Sequence, residues 1–493
     1  MRLLALYSTF VSLLATAATA SANGETIDSR TAVQQPVGFT PPAVFKNNNL
    51  VRIVSLERNY ARETVNIQVQ NIAKEPQDEY FLAFDSAEFL RIGGFEVKNK
   101  RDFEAGDFVI APVEYQATNP IQYYQIKFPT PLAAGSQITL GISFNILKAF
   151  KPLPASIEQD DRQFLKFDFS AYALSPYDTT KQRTEIKFPS SKVPNYTKIE
   201  GLTELKGPKL TYGPFESVAA GTLYPASARY DFTKPVLHVE TLTRDVEVSH
   251  WGGNIAFEEN YDLYHRGANL SSLFNRVKWA QAQYMRPETY AAKELTFSLP
   301  VGSLNPYYTD VIGNVSTSHF RSNNREALLQ VKPRYPLFGG WKYPFTVGWN
   351  SDASSFLRTT ADGGYVLNIP LFEGPKQPEG VEYSYVNVQV LLPEGAENVR
   401  YYTTLPKSDI VESSVTKVKT YLDTVGRTAV IIKAENVVDD FRDRQLIIAY
   451  DYPTTAALRK PAVIFASAVS VFIMTYLLAS IDLSFSRTSS RRL

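Results

Sequence analysis

The sequence predicts a mainly β protein, with two antiparallel β-sandwich-like domains followed by one C-terminal transmembrane helix. Three observations predict it: period-two alternation of apolar residues, glycine- and proline-rich punctuation, and one long uncharged run near the end of the chain. Val65, Ile67 and Val69 alternate with Asn66 and Gln68, and Ile138, Leu140, Ile142 and Phe144 alternate again. Val386, Val388 and Val390 repeat the pattern, so each stretch reads as a strand with one buried face. Gly93-Gly94, Gly252-Gly253, Gly339-Gly340 and Gly363-Gly364, with 30 prolines, read as turns between strands. Leu270, Leu273, Phe274, Val277 and Tyr284 fall at helical spacing and predict a helix interrupting the strands.

An internal echo supports two domains. Residues Leu50 to Asn71 and Leu242 to Tyr264 each read as a strand, a turn with an aromatic (Tyr60, Trp251) and a longer strand. Each half later reaches a further strand, Gln137 to Phe144 in one and Gln445 to Tyr452 in the other. The boundary is expected between Pro225 and Pro235, giving domains over 23–232 and 233–458.

The two ends carry addressing signals. Met1-Arg2, an apolar stretch from Leu3 to about Leu14, and the small-residue sites Ala18-Thr19-Ala20 and Ala20-Ser21-Ala22 form a secretory signal peptide over 1–22. Ala462 to Ile481 is an uncharged run of about 20 residues, the length a helix needs to cross ~30 Å of hydrocarbon. The signal puts the N-terminus in the lumen and leaves 482–493 as a short cytoplasmic tail. The tail's arginines argue against a removable lipid-anchor signal, which ends in apolar residues. Along the span Ala462, Ala466 and Ser470 recur every four residues and Met474 continues the face, a candidate packing surface for another helix.

Composition excludes several classes. A net charge of +1 offers no field for nucleic acid, and the absence of cysteine removes thiol nucleophiles, disulfides and thiolate metal sites. His238, His250, His265 and His319 lack metal-ligand spacing, so no metal site is expected. There is no phosphate-binding glycine loop and no nucleophile elbow, so no cofactor and no catalytic residue is assigned. The pairs Asp160-Asp161, Glu258-Glu259 and Asp439-Asp440 read as solvated faces or turns, because strand neighbours point to opposite faces. Three sequons, at Asn195, Asn269 and Asn314, make those residues glycosylation candidates in a lumenal domain.

The stretch Val246-Glu247-Val248-Ser249-His250-Trp251-Gly252, followed by Asn254-Ile255-Ala256 and Glu258-Glu259, resembles the ribophorin I family. The resemblance continues in order through Tyr307 to Asp310, Ile312 to His319, Pro333 to Lys342, Leu392-Pro393-Glu394-Gly395-Ala396 and Tyr421 to Arg427. Upstream it thins to Ser175-Pro176-Tyr177 and Tyr212 to Phe215. It implies a non-catalytic subunit of the oligosaccharyltransferase, a single-pass type I protein of the endoplasmic reticulum membrane. The implied partners are a catalytic multi-spanning subunit, small membrane subunits, nascent polypeptides and membrane lipid. Within the motifs, Gly339-Gly340-Trp341 reads as a tight turn capped by a packed aromatic, and His250 to Gly253 as a hairpin with a core aromatic. Two rival classes are a tethered glycosidase, which needs convergent carboxylates in a cleft, and a free-standing lectin or cargo receptor.

Overall fold

The computed structural model describes residues 30–101, 107–285, 288–419 and 423–480, without the side chains of 283–285. The expected signal peptide, Ile481 and the tail lie outside the described residues. The remainder is mainly β, as the alternation predicts.

Each half holds one large sheet and two small ones. In the first half the large sheet runs Thr203–Lys206, Lys209–Val218, Thr179–Lys187, Phe45–Ser55, Ala61–Asn71, Gln137–Ile146, Ile92–Asn99. In the second it runs Ile410–Val418, Arg427–Val438, Glu382–Leu391, Leu237–Ser249, Asn254–His265, Lys342–Asp352, Leu304–Asp310, with the two-residue strand Gly313–Asn314 appended. Ranked by chain position within each half, both sheets have the order 6-7-5-1-2-4-3. Both also contain a parallel pair at the same place, Phe45–Ser55 with Thr179–Lys187 and Leu237–Ser249 with Glu382–Leu391, so neither large sheet is purely antiparallel.

The small sheets repeat as well. Gln77–Asp85, Ile121–Leu132, Val109–Pro112 correspond to Leu295–Leu299, Ala327–Val331, His319–Ser322. Asn195–Tyr196, Pro225–Asp231, Phe164–Ser170, Phe150–Pro152 correspond to Glu397–Thr403, Gln445–Asp451, Tyr365–Pro370, Leu357–Thr359. The hairpin echo at 50–71 and 242–264 is therefore a true topological repeat. The later pairing differs: Gln137–Ile146 holds the place of Lys342–Asp352, and Gln445–Asp451 that of Pro225–Asp231.

The matched hairpins share Leu-x-Arg-x-Val, at Leu50-Arg52-Val54 and Leu242-Arg244-Val246. In both the arginine is buried and bound to a glutamate of the following strand, Glu63 and Glu259 respectively. One large core spans Phe45 to Val236, and a second spans Leu237 to Tyr450 with Tyr60 and Leu147 added from upstream.

The halves are joined by polar contacts and close backbone approach. Gly93-Gly94 is not a turn but a bulged stretch of the edge strand Ile92–Asn99. A Cβ at Gly93 would overlap the Asn436 carbonyl, while Asn436 Nδ2 donates to the carbonyls of Leu90 and Ile92 at 3.0 Å. Gly94 N donates to Asp409 at 2.9 Å, Tyr60 OH to Asp439 at 3.0 Å, and Asn59 Nδ2 to the Gly380 carbonyl at 2.6 Å. A parallel pairing of Ser156–Ile157 with Asn269–Leu270 adds a strand contact across the joint. The expected helix begins later than the spacing suggested, at Arg276–Met285: Leu270 is in that short strand, and Leu273 and Val277 are exposed. The side chain of Tyr284 lies outside the described residues.

Candidate functional site at the membrane-proximal end

Strand register gathers distant segments at one end of the second half. The pairs Ser249↔Asn254, Leu391↔Ala429, Val418↔Arg427 and Glu397↔Asp451 put the loops 250–253, 392–396 and 423–426 beside the start of the helix Thr454–Ser480. These loops carry three of the quoted motifs, far apart in sequence and adjacent in space.

The helix is docked there rather than hung from a free linker. Pro461 lies inside it, and a proline has no N–H to give to the carbonyl four residues earlier, which is that of Ala457. The indole Nε1 of Trp251 donates to that carbonyl at 3.0 Å, filling the bond that Pro461 cannot make. Trp251 is 66% exposed at a hairpin tip, so the expected core aromatic of this hairpin is instead a clamp on the helix. Ala456 is buried against Gly395, whose φ of +94° suits glycine and whose missing Cβ would strike the Ala456 Cβ.

Charge completes the dock. Lys460 Nζ lies 2.8 Å from Asp423 and 3.4 Å from Glu394. Glu394 Oε1 accepts from Thr424 N at 2.7 Å, Thr424 Oγ1 at 2.6 Å and Val425 N at 2.6 Å, which ties the 423–426 loop to the Leu392 to Ala396 motif. Arg427 reaches Glu247 at 3.0 Å and the carbonyls of Leu392 and Val248 at 3.1 Å. Between the hairpin and the helix remains a pocket of about 370 Å³. His250 on its wall bonds Tyr450 OH at 2.8 Å, and partial burial holds its pKa below the ordinary value, so the ring is neutral near pH 7.

The span itself is long, apolar and uncovered by the rest of the chain. Ala462, Ala466, Ser470 and Met474 are all exposed on it. The hydroxyls of Ser467, Ser470, Thr475 and Ser480 return to carbonyls of the same helix at 2.7 to 2.8 Å, so these four need no outside partner in hydrocarbon. The three sequon asparagines are exposed: Asn195 and Asn269 in short strands of the first half and the inter-half joint, Asn314 on the second half's sheet edge.

A second concave site lies in the first half, a cavity of about 240 Å³ lined by Arg52, Glu63, Asp85, Glu88 and Asp168 among others. Sequence reading missed it, because these residues are scattered over four segments. Burial and the neighbouring Glu63 carboxylate push Glu88 up to about 7. Glu63, however, has both oxygens on Arg52, at 2.5 and 2.8 Å, and Arg52 also donates to the Ser170 carbonyl at 2.9 Å. The equivalent Arg244–Glu259 pair is sealed within the second core, beneath Phe257 and Trp349. An arginine–glutamate pair repeated in both halves is a feature of the fold, not a site special to one of them. Glu259 and Asp439 are thus buried ion partners rather than the solvated residues expected, whereas Asp160 and Asp161 are exposed in a turn.

Two further histidines have structural partners: His238 contacts Glu382 at 3.0 Å and Glu240 at 2.8 Å, and burial lowers His265 to about 4 while its Nε2 meets the Tyr290 carbonyl at 2.6 Å; His319 is exposed on a short strand. Among the described residues no group of three or more His, Asp or Glu is placed to hold a metal. Trp341 packs against Phe274, Tyr335 and Phe338, as the turn reading of its motif expects.

Comparison with known proteins places this architecture. Dolichyl-diphosphooligosaccharide–protein glycosyltransferase subunit 1B of Arabidopsis thaliana is 31% identical over 450 residues, covering 89% of this chain and 93% of that protein. Subunit 1 of Schizosaccharomyces pombe is 29% identical over 450 residues, covering 88% and 95%. Subunit 1 of Caenorhabditis elegans is 29% identical over 444 residues, covering 90% and 73%. An M1 zinc metallopeptidase of Deinococcus radiodurans overlaps 43% of this chain at 11% identity and a TM-score of 0.26, too slight to argue from. The family described as Ribophorin I matches residues 45–479, both halves and nearly all of the described span, and the chain belongs to that family.

Proposed function

We propose that this chain is an accessory subunit of the oligosaccharyltransferase complex and supports N-linked glycosylation of nascent proteins at the endoplasmic reticulum membrane. The observation that carries this reading is the family match running unbroken from the first core into the membrane helix. Relatives of nearly equal length are named as subunit 1 of that transferase. On this reading the transfer site belongs to another, multi-spanning chain, small membrane subunits complete the assembly, and the β body faces the lumen to stabilise the complex and position precursors. The division we assign is a signal peptide at 1–22, lumenal domains at 23–232 and 233–458, a span at 462–481 and a cytoplasmic tail at 482–493. The separate cores on either side of residue 236 support it.

The docked helix gives the role a physical basis. A body fastened to its own span by Trp251, Gly395 and Lys460 keeps a fixed attitude to the membrane, as a positioning subunit requires. The face of Ala462, Ala466, Ser470 and Met474 is where a partner helix would approach. Replacing Ala466 and Ser470 with leucine should lower recovery of partner subunits several-fold while insertion persists. Unchanged recovery would assign the helix a tethering role alone. Lumenal orientation predicts glycans on Asn195, Asn269 and Asn314, read as a mobility shift on endoglycosidase digestion; an unshifted band would refute it.

A further inference from the structure

The pocket between the Trp251 hairpin and the helix has features that neither docking nor assembly explains. Its walls include Glu247, Trp251, Glu394, Arg427, Tyr452 and Lys460. Its floor is formed by the helix itself, from Ala456 to Ile464. The level of the pocket follows from helix geometry. Trp251 is bonded at Ala457, five residues above Ala462, where the expected span begins, and a rise of 1.5 Å per residue makes that about 7.5 Å. The polar zone of a bilayer is about 5 to 7.5 Å deep on each side. The pocket therefore opens among lipid head groups, with a tryptophan at the depth that zone favours.

Its chemistry is of both signs. Arg427 and Lys460 present cations, and Glu247 and Glu394 present carboxylates. Glu394 is 93% buried, since its relative exposure is 7%; its Oε2 accepts no hydrogen bond and has only the ion pair to Lys460 at 3.4 Å. A buried carboxylate oxygen held by one long ion pair alone has room for a further donor. The aromatic rings of Trp251, Tyr452 and His250 alongside favour a cation.

We propose that this pocket holds the head group of a phospholipid bearing a primary ammonium, such as phosphatidylethanolamine. The ammonium donates to Glu394 Oε2 against the aromatic wall, and the phosphate lies toward Lys460 and Arg427. An anionic lipid without an amine would give Glu394 no further donor and would add negative charge beside Glu247, Glu394 and Asp423. This assignment rests on the helix crossing the membrane, as proposed above.

The test uses the full chain in vesicles containing a phosphatidylethanolamine with a photoreactive group in its acyl chain near the glycerol. Labelled peptides should map to 249–251 and 456–464, and excess unlabelled phosphatidylethanolamine should displace the label at least fivefold better than phosphatidylglycerol or phosphatidylcholine. Glu394→Gln should reduce that preference at least threefold, and Glu247→Gln, which removes a partner of Arg427 but keeps the ion pairs of Lys460, should reduce it less. Equal displacement by all three lipids overturns the proposal, as does labelling spread evenly along the span. Label present on the isolated chain but absent when the chain sits in its complex also overturns it, in favour of a neighbouring helix as occupant. Release of the chain by alkaline carbonate would sink the membrane-span reading itself, whereas a retained chain with no mapped label would sink the pocket alone.

Discussion

At the scale of single residues, two positions carry most of the consequence. Asp409 is buried where the halves meet, bonded to Gly94 N at 2.9 Å and Ser408 Oγ at 3.1 Å, and burial raises its pKa to about 7. An acid whose folded pKa lies above its unfolded value of about 3.8 favours the folded state at low pH. That stability is fully present below about pH 4 and is lost progressively as pH rises to about 7. Glu88, raised to about 7, and Glu373, raised to about 8 by burial, act in the same direction. The β body should therefore melt a few degrees higher at pH 5.5 than at pH 7.5, and Asp409→Asn should flatten that difference. A steeper dependence in the variant would reverse the sign assigned here. The other position is Trp251. Trp251→Phe removes the indole donor and should loosen the first turns of the helix, seen as several-fold faster amide exchange over 454–460. In a Pro461→Ala background the Ala457 carbonyl regains its helical partner, so the same substitution should then have a smaller effect. Equal effects in both backgrounds would show that the two residues are not coupled.

At the scale of elements, the sequence made strands legible wherever one face is buried, because a period of two survives any loop length. The hairpins at 45–71 and 237–265, the strand at 137–146 and the span all followed from that logic and from length. Less legible were features that depend on a partner segment. Gly93-Gly94 has the composition of a turn, yet it is glycine because Asn436 and Phe441 of the other half press on it. Gly93→Ala should therefore separate the halves, lowering stability by about 2 kcal/mol or more, as overpacking of close-fitted surfaces does. Thermal unfolding would read it, and a loss below 0.5 kcal/mol would show that the strand yields. The hairpin pattern reads Trp251 as a core aromatic, because it does not reveal which end of the sheet meets the C-terminal helix. One signal was present in the sequence: a proline immediately before an uncharged span needs some donor for the carbonyl it strands.

At the scale of the whole molecule, the chain is one architecture used twice and then mounted on a helix. Apart from the appended Gly313–Asn314, the strands of the sheets repeat in order, so the second half shares the topology of the first, but only the second seats the C-terminal helix. Its motifs at 246–252 and 392–396 and the described part of a third, 423–427, converge on the mount, while those at 307–319 and 333–342 shape the sheet edge and the aromatic cluster around Trp341. That distribution explains why the sequence motifs are densest after residue 246: the second half must keep both its fold and its seat on the helix. The candidate site was thus present in the sequence as motifs but not as a site, since its assembly depends on strand register across some 200 residues, from Glu247 to Lys460.

The central claim is that this chain works as a part of the oligosaccharyltransferase. The most direct measurement is affinity purification of the tagged full chain in mild detergent, with the co-eluting chains identified and quantified by mass spectrometry. The account predicts the multi-spanning catalytic subunit in near-equal amount. Elution of the chain without that subunit would contradict it.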